Sequence, residues 1–355
     1  MNEIYLTIFF ISLLLFLLGS GVWVALSMVA VSAIGMMLFT SRPVGDAMAT
    51  TIWGTSSSWS LTALPLFVWM GEILFRTKLS ENLFKGLSPW LSRLPGGLIH
   101  VNVVGCALFA AISGSSAATV ATVGKMSIPE LRKRKYPEKL LLGSLAGSGT
   151  LGLLIPPSII LIIYGVTIED SIAKLFMAGI LPGIMIALIF MSYVVIWSIL
   201  NKKLMPKNLQ NFSFSQKIKA SKQLFPVILL ITSVIGSIYT GIATATEAAS
   251  LGVLGALVLS WFQQTLNTKT FKLSLLGATK TSCMIAFILA GSTFLSLAMG
   301  FTGLPRNLAV WINNMNLSPF MLIFILTIFY IILGMFLDGI SAVVLTMAII
   351  EPMIR

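Results

Sequence analysis

The sequence predicts an all-α integral membrane protein, and three observations support this fold class. Hydrophobic residues make up 57% of the 355 residues and charged residues only 10%, whereas soluble proteins carry about 25% charged residues. Apolar segments approaching the ~20 residues that cross a bilayer recur along the chain. The lysines and arginines are concentrated, with 19 of 23 in four loops between those segments. This composition excludes a water-soluble enzyme, because too few polar residues remain to cover its surface.

Ten apolar segments define the predicted elements in order. They are 4–18, 22–40, 52–75, 95–124, 140–165, 173–200, 223–242, 246–263, 281–302 and 318–354. The first begins directly after Met1-Asn2-Glu3, without the basic region and cleavage site of a signal peptide, so we interpret it as a retained span. Segments 95–124 and 318–354 are too long for one crossing and have polar or glycine-rich middles.

The basic loops predict the orientation of these segments. Loops 76–93, 125–139, 201–222 and 264–280 hold 4, 6, 6 and 3 lysines or arginines, so all four should be cytoplasmic. Segment 95–124 lies between two basic flanks, which a re-entrant hairpin entering from the cytoplasm satisfies. The net charge of +12 therefore indicates membrane orientation and not nucleic-acid binding.

The second half is predicted to repeat this arrangement in inverted form. Serines and a glycine at 112–116 suit a hairpin tip, since non-helical backbone at membrane depth must face protein or water. Segment 281–302 leads outward, so segment 318–354, interrupted at 338–341, enters from the outside. Such inversion is typical of secondary transporters.

The predicted domains follow from these repeats. Residues 1–50 form N-terminal scaffold spans, 51–200 the first inverted repeat, 201–222 an interfacial connector on the cytoplasmic surface, and 223–355 the second repeat. Within the first repeat, Pro156-Pro157 predicts that segment 140–165 is a broken helix, because prolines remove donors and clash with the preceding turn. The freed carbonyl groups need a partner, and a cation or water is the natural one.

Several polar residues have two interpretations. Small residues at 113–119 suit close helix packing, but a re-entrant tip favours ion or substrate contact. Asp338 lies deep in an apolar run, where a charge costs about 2.5–3.5 kcal/mol on insertion scales, so a functional site is favoured over a helix cap. Glu72 predicts an ion pair with Arg76 four residues later, and Glu247 predicts an N-terminal helix cap.

Other residue types exclude further classes of site. Cys106 and Cys283 have no CxxC spacing and predict neither a disulfide framework nor a metal site. The single histidine, His100, cannot form a zinc or haem site alone and is predicted to lie at a helix end or interface. No GxxxxGK[ST] motif occurs, so the chain does not hydrolyse ATP through a P-loop.

Short motifs then run in order through nearly the whole chain. They are Ser113-Gly114-Ser115-Ser116-Ala117-Ala118-Thr119 with Gly124 and Pro129, Pro156-Pro157-Ser158 with Tyr164-Gly165, Ser171-Ile172, Leu175-Phe176-Met177-Ala178-Gly179, Pro182-Gly183, Thr244-Ala245-Thr246-Glu247-Ala248-Ala249 and Gly334-Met335-Phe336-Leu337-Asp338. As a set they resemble the large membrane subunit of TRAP transporters (tripartite ATP-independent periplasmic transporters).

The resemblance implies an elevator-type permease of a bacterial or archaeal inner membrane, not an enzyme, that imports an organic acid with a sodium gradient. It implies two partners, a small four-helix membrane subunit and a periplasmic binding protein that delivers the anionic substrate, and no cofactor besides Na⁺ as coupling ion. A dicarboxylate, a sialic acid or another sugar acid is compatible with the sequence.

The resemblance also implies the positions of the sites. By similarity, sodium is bound by Ser113, Gly114, Ser115, Ser116, Gly149, Thr150, Pro156 and Pro157. A substrate or second ion site comprises Thr119, Asp338, Gly339 and Ser341, with substrate between the two hairpin tips.

An inverted repeat calls for a second broken helix. Pro156-Pro157 follows the first tip by about forty residues, whereas Arg355 follows Ser341 by about fourteen. We therefore expect the second repeat to be incomplete at its C-terminus.

Two other functions were weighed against transport. An ion channel or uncoupled pore could be formed by hairpin tips, but channels usually assemble from identical loops and these tips differ. An intramembrane enzyme would need a second deep acid beside Asp338, and the sequence has none.

Cysteines placed at Ser115 and Ser341 test the inverted hairpins. We expect the first to react with an impermeant reagent from the cytoplasm and the second from the outside, each in at least one transport state. Labelling of both from the same side in every condition would contradict the inversion.

Overall fold

The computed structural model describes residues 3–206, 212–303, 310, 315, 317–335, 337 and 339–354. These residues are almost entirely α-helical, and no strand occurs among them. The all-α prediction is therefore confirmed.

The α-helices of the described residues are numbered in chain order. They are α1 Glu3–Gly19, α2 Val24–Phe39, α3 Val44–Ser56, α4 Ala63–Phe75, α5 Leu79–Leu91, α6 Ile99–Ser113, α7 Ser116–Lys133, α8 Glu138–Gly149, α9 Ile159–Thr167, α10 Ile172–Leu200, α11 Phe214–Ser221, α12 Phe225–Tyr239, α13 Ala245–Phe262, α14 Thr268–Thr302, α15 Pro319–Gly334 and α16 Gly339–Ile354. Short 3-10 helices cover Trp59–Thr62, Thr150–Leu153 and Lys202–Leu204.

Helix length and hydropathy identify a multi-pass membrane protein. Among the described residues, three helices are long and apolar enough to cross a bilayer: α10, α13 and Thr268–Phe301 of α14. Two bent pairs raise this number to five if each forms one span, namely α3 with Trp59–Phe75, bent by 57°, and α11 with α12, bent by 54°. The shorter apolar helices include α6. It has 15 residues, fewer than the ~20 that cross a bilayer, which suits one half of a hairpin.

Several basic segments predicted to be loops are partly helical. Helix α5 occupies most of loop 76–93, α7 continues to Lys133, and α14 begins at Thr268. The predicted loop boundaries were wrong because hydropathy marks only the apolar part of a helix. A helix can continue beyond that part into polar surroundings. In α5 the apolar residues Leu83, Phe84 and Leu87 are buried on one face of an amphipathic helix.

One compact unit comprises Thr62–Ile162 and Ser171–Thr281. In it α6, α7 and α8 pack together, α4 packs on α13, and α13 on α12. Val103, Ala110 and Leu151 form a buried cluster with residues of α10 such as Phe190.

A second compact unit comprises Met1–Leu61, Ile163–Asp170 and Ser282–Arg355. Its core contains Phe10, Met28 and Leu295, and the Ser292 hydroxyl donates to the Val344 carbonyl oxygen at 2.6 Å, joining α14 to α16. Each compact unit combines separated stretches of the sequence. The compact units therefore do not correspond to the predicted repeats, each of which is one continuous stretch. The four predicted domains and the inversion stay predictions.

The local predictions for two acids are confirmed. Glu72 forms an ion pair with Arg76. Glu247 accepts a hydrogen bond from the Thr244 backbone N–H at 2.8 Å, and the Glu247 N–H donates to the Thr244 hydroxyl at 3.3 Å. This reciprocal pair is a capping box that starts α13.

His100 and the cysteines have structural positions. His100 lies in the first turn of α6, as predicted for a helix end, but it is fully buried, with Nε2 2.8 Å from the Pro95 carbonyl oxygen. Cys106 is buried and Cys283 exposed, and both are free thiols. No group of three His, Cys, Asp or Glu among the described residues could hold a metal ion.

The Thr244→Ala substitution should destabilise the protein by about 1 kcal/mol, the usual cost of losing an N-cap side chain. Thermal unfolding of the detergent-solubilised protein would measure this. The matched control is Thr279→Ala, because the Thr279 hydroxyl is exposed and bonds only within its own helix; its effect should stay within about 0.5 kcal/mol. Equal losses for both variants would contradict the capping role.

Candidate functional site

Helices α6 and α7 form a helical hairpin whose tip lies at Gly114 and Ser115. Gly114 ends α6 with a positive φ of 59°, a left-handed conformation that glycine adopts without steric cost. Its N–H donates to the Ala110 carbonyl oxygen at 3.0 Å. Ser115 is the N-cap of α7 and its hydroxyl accepts from the Ala118 N–H at 3.5 Å. The chain therefore reverses in two residues, and the tip lies within segment 112–116 as predicted.

A short hydrogen-bond network holds this tip together. The hydroxyls of Ser113 and Thr119 lie 2.9 Å apart, and the Thr119 hydroxyl donates to the Ser115 carbonyl oxygen at 2.7 Å. Ser113 and Thr119 are both buried. Their hydroxyl oxygens keep lone pairs free to accept, so they are possible cation ligands as well as bracing groups.

The predicted broken helix is interrupted between α8 and α9. Helix α8 ends at Gly149, a 3-10 turn continues to Leu153, and α9 begins at Ile159. Neither Pro156 nor Pro157 can donate to the preceding turn. The buried Ser158 hydroxyl donates to the Leu153 carbonyl oxygen at 2.5 Å, which replaces the bond that a non-proline residue at 157 would make.

Other carbonyl groups at the break have no such replacement. Within the described residues, no hydrogen bond reaches the carbonyl oxygens of Gly152 and Pro157. Both residues are buried. Buried backbone acceptors are normally satisfied by protein, water or an ion, so these two oxygens are candidates for ion coordination.

The hairpin tip packs against this break with backbone touching backbone. A Cβ atom added to Gly152 would lie 2.8 Å from the carbonyl carbon and oxygen of Ser115. One added to Gly114 would lie 3.1 Å from the Pro157 carbonyl oxygen and from the Ile159 nitrogen. Glycine at both positions permits this approach, because any side chain would fill the space.

This contact brings together most of the residues assigned to sodium by resemblance. The tip residues Ser113–Ser116 meet the chain between Gly152 and Ile159, which includes Pro156 and Pro157. Gly149 is also close, since a Cβ there would overlap the Val120 side chain of α7 at 2.0 Å.

Two other assigned residues take different positions. Thr150 is exposed and its hydroxyl donates to the Gly147 carbonyl oxygen at 2.7 Å, so its side chain does not reach the tip. Thr119, assigned to the substrate or second ion site, instead bonds to Ser113 and Ser115.

The second predicted site is only partly described. Gly339 and Ser341 lie in the first turn of α16, in the second compact unit, and Asp338 lies outside the described residues. The break predicted at 338–341 is displaced, because α16 already begins at Gly339. Gly339 and Ser341 stay a predicted site.

Sequence reasoning missed several residues that shape the site. Gly152 lets the break approach the hairpin tip, and Ser158 satisfies the Leu153 carbonyl oxygen. Gly71 of α4 lies close to the tip as well, since a Cβ added there would be 3.0 Å from the Cα of Ser113. The glycines at 147, 149 and 152 were a visible signal, because small residues mark close helix contacts.

Asn102 is another buried polar residue that the sequence analysis did not assign. Its side-chain Nδ2 donates to the Ser144 hydroxyl at 3.0 Å and to the Leu141 carbonyl oxygen at 3.3 Å. These bonds fasten α6 to α8, so the hairpin and the broken helix are joined at two levels, the tip and the Asn102 side chain. An amide within apolar segment 95–124 was the available signal.

The helix ends at the contact have complementary charge. Helix α6 and the 3-10 turn after α8 end there at Ser113 and Leu153, and α7 and α9 begin there at Ser116 and Ile159. Helix C-termini carry partial negative charge and N-termini partial positive charge. The arrangement can therefore bind a cation at the carbonyl ends and an anion at the amide ends, without a charged side chain.

Known proteins match the chain along nearly all of its length. The family model described as "Tripartite ATP-independent periplasmic transporter, DctM component" matches residues 10–355. The C4-dicarboxylate TRAP transporter large permease protein DctM of Pseudomonas aeruginosa is 33% identical, over 89% of this chain and 73% of the relative. The sialic acid TRAP transporter large permease protein SiaM of Vibrio cholerae is 30% identical, over 95% and 78%. The ectoine/5-hydroxyectoine large permease protein UehC of Ruegeria pomeroyi is 31% identical, over 98% and 81%.

The Gly152→Ala substitution should destabilise the protein by about 1–3 kcal/mol, because the added methyl group overpacks the contact with Ser115. The matched control is Gly143→Ala in α8, where an added Cβ meets nothing within 4 Å; it should be neutral or stabilising by up to about 1 kcal/mol. Thermal unfolding of both variants measures the difference. A neutral Gly152→Ala would show that the tip and the break are not in close contact.

Proposed function

Because this chain belongs to the DctM component family of tripartite ATP-independent periplasmic transporters, we propose that it is a large permease subunit that imports an organic acid with sodium. The family identifies a transporter subunit and not an enzyme. The observation that carries the sodium proposal is the contact between the hairpin tip and the broken helix, where Gly114 meets Pro157 and Gly152 meets Ser115.

Sodium binding at this contact rests on the chemistry of the available ligands. Na⁺ is a hard cation that interrupted transporter helices coordinate with backbone carbonyl oxygens and helix C-terminal ends. The carbonyl oxygens of Gly152 and Pro157 have no donor among the described residues. The hydroxyls of Ser113 and Thr119, which lie 2.9 Å apart, belong to the hairpin tip that packs against this break. This neutral set of oxygens suits a monovalent ion better than a divalent one, which normally recruits carboxylates.

The substrate is proposed to be a small carboxylate. Relatives carry the names of transporters for C4-dicarboxylates, for sialic acid and for ectoine, so the family accommodates several such compounds. The amide ends of α7 and α9 at the contact suit the negative charge of a carboxylate. We propose that the substrate contacts these helix ends, and the set of Asp338, Gly339 and Ser341 stays a prediction from the sequence.

The proposed partners and location follow the same assignment. Large permeases named in the comparisons belong to tripartite systems, so we propose a small membrane subunit and a periplasmic binding protein that delivers the substrate. The proposed location is the bacterial inner membrane, with the basic loops in the cytoplasm.

Sodium coupling is adequate in energy. Moving one net positive charge inward gains about 2.3 kcal/mol per 100 mV of membrane potential. Two sodium ions with one monocarboxylate carry one net charge, so both the potential and the sodium gradient favour uptake. The proposed mechanism moves the tip and the broken helix as one piece, because their backbones touch and Asn102 joins α6 to α8.

The Thr119→Val substitution tests the sodium site, because it removes the hydroxyl and keeps the shape of the side chain. The permease with its small subunit and binding protein would be placed in liposomes, and substrate uptake measured against external sodium. We expect the KM for sodium to rise about tenfold or more, with a smaller change in the KM for substrate, since one oxygen ligand of the ion is lost.

The matched control is Thr122→Val on the same helix. Thr122 is buried, and its hydroxyl has no hydrogen-bond partner among the described residues, so the KM for sodium should be unchanged. Uptake that persists when sodium is replaced by choline would overturn the coupling. Ionic current without substrate or binding protein would instead support an uncoupled pore.

A further inference from the structure

Helix α11 is a short helix with no buried residue. Phe214 and Ile218 are exposed to 68% and 48% although both are large and apolar. Lysines 217, 219 and 222 lie along the same short stretch. A helix with this mixture of exposed apolar and basic residues is typical of a membrane interface.

Helix α11 is held in a defined position. A 54° bend separates it from α12, its partner in a candidate membrane span. The Trp90 indole N–H of α5 donates to the Ser221 hydroxyl at 2.9 Å. The buried Leu224 lies over Gly86, where an added Cβ would be 2.5 Å from Leu224 Cγ. Helices α5 and α11 therefore form one surface, which we call the α5–α11 platform (residues 79–91 and 214–221, with the adjoining Lys222).

Lys217 and Trp90 connect the basic and apolar parts of the platform. The Lys217 Nζ lies 5.3 Å from the centroid of the Trp90 ring, within the range of a cation–π interaction. Trp90 is 43% exposed, so the same ring contacts the lysine and remains accessible. Tryptophan prefers the headgroup level of a bilayer.

Lys217, Lys219 and Lys222 have no acidic partner among the described residues. No carboxylate there forms an ion pair with them, whereas in the basic segment 125–139 Glu130 pairs with Arg134 and Glu138 with Arg132. Segment 125–139 is therefore basic but partly neutralised, and the charge of Lys217, Lys219 and Lys222 is available for an external anion.

We propose that the α5–α11 platform binds the anionic headgroups of phospholipids, through Lys217, Lys219 and Lys222 with Trp90 and Phe214 at the headgroup level. The bilayer is the occupant that this surface fits, because the platform adjoins the α12 span and combines exposed aromatic residues with three lysines that form no ion pair among the described residues. Clusters of lysines next to a membrane helix attract anionic lipids. This inference depends on the membrane span and not on sodium coupling or on the substrate.

The test is the affinity of the detergent-solubilised full-length protein for phosphatidylglycerol and phosphatidylcholine, measured by the thermal shift that each lipid causes. Phosphatidylglycerol should stabilise the protein at lower concentration than phosphatidylcholine. In the triple variant Lys217→Gln, Lys219→Gln, Lys222→Gln, the phosphatidylglycerol concentration that gives half of the thermal shift should rise about tenfold or more. The reason is that each lysine near an anionic surface contributes to binding. If the triple variant does not fold, the double variant Lys219→Gln, Lys222→Gln keeps the contact with Trp90.

The matched control removes three exposed lysines from segment 125–139, as Lys133→Gln, Lys135→Gln and Lys139→Gln. It should retain most of the phosphatidylglycerol effect. A second readout is quenching of the Trp90 fluorescence by brominated phosphatidylglycerol, obtained as the difference between the parent chain and Trp90→Phe.

Three outcomes would overturn the proposal. The first is an equal thermal shift with phosphatidylglycerol and phosphatidylcholine. The second is an equal loss of phosphatidylglycerol affinity in the test and control variants. The third is a thermal shift with inorganic phosphate or glycerol phosphate as large as the shift with the lipid. Failure of transport in sodium-free buffer concerns the proposed function alone, since this binding assay needs neither substrate nor a gradient.

Discussion

The candidate site depends on a contact between two stretches of backbone. At this contact Gly114 of the hairpin tip meets Pro157, and Gly152 of the broken helix meets Ser115. Two interrupted elements, a hairpin tip and a broken helix, meet there without side chains between them, and an added Cβ at Gly152 would lie 2.8 Å from Ser115. Because the backbones touch, carbonyl and amide groups from four helix ends lie close together. A site of this kind needs no charged side chain, which reduces the cost of placing it inside a membrane.

The break is stable because its hydrogen bonds are redistributed. Two prolines deprive the helix of two donors, and the Ser158 hydroxyl satisfies the Leu153 carbonyl oxygen at 2.5 Å. The carbonyl oxygens of Gly152 and Pro157 are left without a donor among the described residues. Buried polar groups without partners are costly, so the sodium ion proposed for this site would also satisfy these two oxygens.

The surface elements follow a different principle from the core. At the candidate site, small residues allow close approach, and polarity is carried by the backbone and by short hydroxyl side chains. On the α5–α11 platform, long side chains carry the charge, and Trp90 connects Lys217 to the apolar part of the surface. Lysines without an acidic partner among the described residues suit the bilayer surface, where anionic headgroups supply the opposite charge. The candidate site and the platform therefore differ in the groups that carry their polarity.

The sequence alone determined the membrane class, the approximate helices, the hairpin tip near 112–116 and the break at Pro156-Pro157, because hydropathy and proline geometry act locally. It also predicted the Glu72–Arg76 pair and the Glu247 cap, which involve neighbours on one helix. Only the tertiary structure decided that Gly152 meets Ser115, that Thr119 bonds to Ser113, that Thr150 faces away and that α5 is a helix. The contact between Gly152 and Ser115 joins residues distant in sequence, and α5 depends on one buried face. The bonds of Thr119 and Thr150 are local, but they depend on how the hairpin turns and where α8 ends, and no sequence pattern specifies that geometry.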